Sequence, residues 1–104
     1  MTYKLQFSKQ AAADLDETFE YISAALKAPM AAQNLMAKID RAIHQLTDMP
    51  EAHPLFADDT LQMLGYRKLV IDSFIVVYSV NKSNQTIAVV RVFYGRQDYL
   101  KHLK

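Results

Sequence analysis

The 104-residue sequence has no cysteine and no tryptophan, and only two glycines and three prolines. Without thiols, neither a disulfide framework nor a thiolate zinc site can hold the fold, so stability has to come from burial. Both glycines, Gly65 and Gly95, lie in the second half, which leaves the first half poor in turn signals and suited to long helices. Apolar runs such as Phe74 to Tyr78 fall far short of the roughly 18 to 20 residues that cross a bilayer. The N-terminus alternates apolar and polar residues, unlike a signal-peptide core, so the expected address is cytoplasmic with no membrane role. Charge of one sign is missing too: 12 Lys and Arg against 11 Asp and Glu leave +1, too little to attract nucleic acid or anionic lipid without a local basic site.

What is present reads as one globular domain, residues 1–104, with 51% hydrophobic and 22% charged residues. Tyr3, Leu5 and Phe7 alternate with Lys4 and Gln6, the period of a strand with one buried face. Ser8 is placed to cap a helix, in which Ala11, Leu15, Phe19, Ile22 and Leu26 form an apolar stripe. Pro29 suits the first turn of a second helix, striped by Ala32, Leu35, Ile39, Ile43 and Leu46 and ended by Thr47-Asp48-Met49-Pro50. An antiparallel helical hairpin is expected. Residues 51–64 read as a loop with one short helical turn. Then Tyr66 to Ile71, Phe74 to Val80 and Thr86 to Tyr94, rich in Val, Ile, Phe and Tyr, predict a three-stranded antiparallel meander packed on the helices. The fold class is α+β.

A two-residue loop at Asp72-Ser73 would set Ile71 opposite Phe74, Leu69 opposite Val76 and Arg67 opposite Tyr78. Regular pairing of the last strand then adds Ala88, Val90 and Val92 to that helix-facing side. Tyr66, Lys68, Val70, Ile75, Val77, Ser79, Ile87, Val89, Arg91 and Phe93 fall on the other side, an expected open working surface. A single bulge would exchange these faces.

Few residues announce chemistry. His44, His53 and His102 are too far apart to suggest a metal site, and Asp14, Asp16, Glu17 and Glu20 read as a solvated helix face. No glycine-rich phosphate loop or nucleophile elbow is present, so no nucleotide cofactor is expected. What remains is a cluster on and beyond the meander, Arg67, Lys68, Arg91, Tyr94, Arg96 and Tyr99. Cations there could stabilise charge on a phosphate and tyrosines could move protons, or the same residues could simply solvate a sheet surface.

These segments together resemble the RelE/ParE toxins of bacterial type II toxin–antitoxin systems over nearly the whole chain. The resemblance is carried by Tyr3-x-Leu5-x-Phe7-Ser8-x-x-Ala11-x-x-Asp14-Leu15, Tyr21-Ile22, Leu46 with Pro50, Tyr66-Arg67-Lys68-Leu69, Tyr78, and Arg91-Val92-Phe93-Tyr94-Gly95-Arg96-Gln97-Asp98-Tyr99. It implies a strand, a helical hairpin and a meander in that order. It also implies growth inhibition of the kind that stabilises plasmids, and a cognate antitoxin partner.

Two mechanisms follow from the family. The RelE branch cuts mRNA on the ribosome without a metal, and the ParE branch inhibits DNA gyrase. Arg67 or Lys68 falls near a basic position of the nuclease branch, and Arg96 aligns with an arginine near the end of the last strand. Ile75, however, stands three residues before Tyr78, where active nucleases of this fold commonly carry Arg, and an isoleucine cannot bind phosphate. Tyr94 replaces the His of a His-Gly-x-Arg-Asp ending common in the ParE branch. The charge of +1 also suits ribosomal RNA poorly. Gyrase inhibition is therefore the expected activity, with ribosome-dependent cleavage the alternative and a degenerate, antitoxin-binding toxin a third reading.

Overall fold

The computed structural model describes residues 3–94. Strand β1 (Lys4–Phe7) leads into helix α1 (Lys9–Glu20), which continues as a π turn over Tyr21–Ala25. Helix α2 (Pro29–Gln45) and the short α3 (Asp59–Met63) precede β2 (Tyr66–Ile71), β3 (Phe74–Asn81) and β4 (Thr86–Tyr94). The sheet order is β1-β4-β3-β2, with β1 parallel to β4 and the other neighbours antiparallel. The expected α+β arrangement of strand, helices and meander is observed.

Local chemistry accounts for the boundaries. The Ser8 hydroxyl accepts from the Ala11 N–H at 2.9 Å, capping a donor that the first helical turn would otherwise leave unsatisfied. The chain reverses through Lys27, at φ 53°, and Ala28, and Pro29 enters α2 at its first turn, where its missing N–H costs nothing. At the far end of α2, the Thr47 carbonyl accepts from the Tyr3 N–H at 3.0 Å, so the second helix returns to where β1 begins. Asp58 caps α3 through Leu61 N–H at 3.1 Å.

The helix stripes hold except at one point. Ala11, Ile22, Ala32, Ile39, Ile43 and Leu46 join Leu69, Ile71, Phe74, Val76 and Tyr78 in the main core. Leu26, expected on the α1 stripe, is 51% exposed. The π turn before it takes more residues per turn and rotates the following side chain out of phase.

The sheet faces differ from the regular-pairing expectation. The predicted pairs Ile71 with Phe74, Leu69 with Val76 and Arg67 with Tyr78 are all formed. Between β3 and β4, however, Val77 pairs with Arg91 and Tyr78 with Val89, which leaves Val90 as an extra residue in β4. Ile87 and Val89 therefore face the helices, fully buried, while Ala88 and Val90 lie on the opposite side. The bulge sits where β1 gives way to α1. Val89 carbonyl accepts from Ser8 N–H at 3.0 Å and Val90 carbonyl from the Ser8 hydroxyl at 2.6 Å, so the capping serine also holds the strand irregularity.

The expected open face is also partly covered. Phe56 and Leu61 pack on Val77 and Phe93 to form a second small core, with Tyr66, Ile75 and Val90 at its margin. The segment before α3 is tied to β2 by Phe56 N–H to Tyr66 O at 3.1 Å and Lys68 N–H to Pro54 O at 3.1 Å. Val70, at 58% exposure, remains outside this cover.

Candidate functional site

The sequence-predicted cluster divides among separate surroundings. Arg67 points to the helix side, beside Tyr78. Its Nη1 donates to the His53 carbonyl at 2.7 Å and its Nη2 to Glu51 Oε2 at 3.2 Å. Glu51 is also held by Lys82 at 3.0 Å. The Tyr78 hydroxyl donates to Pro50 O at 3.0 Å, and the His53 ring meets the Tyr78 ring edge-on with centroids 6.5 Å apart. Burial pushes the Tyr78 phenol above its ordinary 10.0, while the Arg67 charge pulls it down. This group fixes residues 50–53 against the sheet.

Lys68 lies on the opposite face, its ammonium 5.7 Å from the Phe56 ring centroid, an orientation that attracts a cation to the ring face. Its cross-strand neighbour is Val77, which pairs in turn with Arg91.

Arg91 does not project freely from that row. Its Nε and Nη2 donate to the two carboxylate oxygens of Asp14 at 2.8 and 3.0 Å, and Asp14 Oδ2 also accepts from the Val92 N–H at 2.9 Å. The guanidinium lies 4.7 Å from the Phe93 ring centroid. Only 21% of the Arg91 side chain and 12% of the Asp14 side chain are exposed. The Asp14 hydrogen bonds push the Arg91 pKa above its usual value against an opposing effect of burial. The expectation of an exposed Arg91 on a free strand is thus corrected. β1 pairs with β4 only as far as Val89, and α1 supplies the Asp14 carboxylate as the next partner along that edge.

Beside this ion pair is a cleft of about 450 Å³, with Glu17, Tyr21, Arg91 and Tyr94 among its walls. Tyr94 packs on Phe74 with centroids 4.8 Å apart and reaches Tyr21 at 6.3 Å. Arg96 and Tyr99 lie outside the described residues.

Asp14, Glu17, Tyr21 and Glu51 were not singled out as site residues by sequence reasoning. A signal for Asp14 was present: it lies three residues after Ala11 and four before Thr18, both buried, so it shares the inward side of α1. Glu17, read as part of a solvated face, gave no such signal. Among the described residues no group of three or more His, Asp or Glu side chains could hold a metal ion, and no helix is long and apolar enough to cross a membrane.

Comparison with known proteins agrees with this architecture. The chromosomal ParDE toxin–antitoxin (TA) system of P. aeruginosa contains a chain similar to this one, with TM-score 0.73 and 20% identity over 91% of this chain and 98% of that chain. A chain of the RelBE2 toxin–antitoxin complex of Mycobacterium tuberculosis superposes with TM-score 0.64 and 15% identity, covering 90% of this chain and 99% of that one. A double arginine-to-alanine mutant of E. coli toxin RelE in the free state gives TM-score 0.61 and 18% identity, covering 98% and 93%. The superpositions establish a shared fold and, at these identities, no more than that. No functionally curated protein matches the chain significantly in sequence. The sequence profile described as "ParE toxin of type II toxin-antitoxin system, parDE" matches residues 5–99. A match of that extent, on a structure with the strand, helices and meander of the toxin neighbours, places the chain in the ParE toxin family of type II toxin–antitoxin systems.

Proposed function

We propose that this toxin inhibits DNA gyrase by surface contact rather than cleaving mRNA on the ribosome, and that a cognate antitoxin neutralises it. The carrying observation is the state of the meander's arginines. Both described ones are engaged within the chain, Arg67 with Glu51 and the His53 carbonyl, and Arg91 with Asp14. Phosphodiester cleavage without a metal needs donors aimed at the developing phosphate charge, and an arginine already satisfied by a carboxylate is a poor one. Ile75 adds no charge at the position where the nuclease branch commonly has one. The resemblance keeps Arg96 and Tyr99 as candidates for target contact, with Lys68 and Tyr94 the described ones.

The antitoxin reading is supported by the similar chains occurring in ParDE and RelBE toxin–antitoxin systems. Purified toxin should block negative supercoiling by gyrase while leaving ribosome-bound mRNA uncut in 5′-end mapping. Cleavage of that mRNA with gyrase unaffected would replace this reading with the ribonuclease one.

A further inference from the structure

The cleft beside the Asp14–Arg91 pair has an unbalanced charge. Asp14 is satisfied by Arg91 and the Val92 N–H, whereas the exposed Glu17 carboxylate on the same wall makes no hydrogen bond or close ion pair among the described residues and acts on Arg91 only at longer range. Tyr21, 49% exposed, and half-buried Tyr94 pack against each other on the cleft wall, their ring centroids 6.3 Å apart and inclined at 52°. Glu17 and Tyr21 also border an adjoining depression of about 610 Å³ on the outer side of α1, where Glu20 is similarly unpartnered. An aromatic wall with a carboxylate beside it attracts a cationic side chain twice, through the ring quadrupole and through the charge. A phosphate or carboxylate would be repelled.

We propose that this cleft receives an arginine or lysine side chain from the toxin-binding segment of the antitoxin, whose backbone continues over the Glu17–Tyr21 ridge into the adjoining depression. This rests on the antitoxin reading above and deepens it: even an antitoxin of acidic overall composition carries one cationic anchor that meets α1 and the end of β4. Charge complementarity selects the occupant. A purely apolar anchor would leave the Glu17 carboxylate facing it without a partner, and the cleft's arginine is already bound to Asp14.

The test uses the purified toxin–antitoxin pair. Glu17→Gln is expected to weaken binding about tenfold and Glu17→Lys more, with a shallower salt dependence in both, as for a lost charge pair at a protein interface. Tyr21→Ala should weaken binding without changing the salt dependence. In the antitoxin, replacement of one Arg or Lys by Glu should restore binding to the Glu17→Lys toxin. Unchanged affinity and salt dependence of both Glu17 variants, in a complex that otherwise forms, would overturn the cationic anchor while sparing the antitoxin reading. Failure of the wild-type pair to associate would overturn both. A loss of free-toxin stability in Glu17→Gln that Arg96→Ala reproduces would assign the cleft to this chain's own C-terminal segment and overturn the proposal.

Discussion

The Asp14 carboxylate closes the edge of β4 by accepting from the Arg91 guanidinium on two oxygens and from the Val92 N–H. The pair joins positions 77 apart, a helix near the beginning of the fold and the last strand. It is therefore a tertiary clamp that fixes how α1 crosses the sheet.

Asp14→Ala and Arg91→Ala should each destabilise the protein by about 1.5–3 kcal/mol, the range for hydrogen bonds to charged groups. Arg91→Lys should recover only part of this, since an ammonium cannot reproduce the two-pronged geometry. Urea midpoints of the singles and the double variant would measure the coupling. Additive effects would show that the two side chains act independently.

Tyr78→Phe should cost about 1 kcal/mol near neutral pH through loss of its hydrogen bond to Pro50 O. Its pH dependence has a definite sign. The folded-state phenol pKa is raised above 10.0, so its contribution is whole below pH 10.0 and is lost as pH rises through the higher folded value. The variant has no phenol to ionise there, and its deficit against wild type should shrink above pH 10.0 in alkaline denaturation curves.

Ile75 is half-buried at the margin of the second core. Ile75→Ala should then cost about 1 kcal/mol, below the 2 to 5 typical of a fully buried site. On purified ribosomes, neither wild type nor Lys68→Ala nor Arg91→Ala should cut mRNA. Wild-type cleavage that vanishes in Lys68→Ala, and in Arg91→Ala under conditions where that variant is still folded by circular dichroism, would show that Lys68 and Arg91 supply the charge absent at position 75.

Gly65 adopts φ +74°, and a Cβ placed there would meet no atom within 4 Å. Gly65→Ala should thus cost about 1–2 kcal/mol from backbone conformation alone. A thermal melt would check it; an unchanged midpoint would mean that the turn relaxes without penalty.

Elements with strong periodicity were legible from sequence. Ser8 as a cap, the α2 stripe and the β2–β3 register follow from local pattern and turn length, and each is seen in the fold. Val90 was not legible as a bulge, because Val89, Val90 and Val92 suit either face and the deciding bonds come from Ser8, 82 positions away. The exposed-Arg91 reading failed for the same reason: its partner lies on α1, and no local spacing in β4 reveals it. Glu17 and Tyr21 share a helix face by their four-residue spacing, but Tyr94 joins them only through the packing of α1 along β4.

β1 has β4 as its only strand partner among the described residues, so the sheet cannot close until residues 86–89 are available to pair with 4–7. During synthesis the emerging N-terminal strand must wait for nearly the whole described chain. Such long sequence separation slows folding and prolongs exposure of the strand edge. Interrupted translation before β4 should consequently yield fragments with no completed sheet, incapable of forming the Asp14–Arg91 clamp.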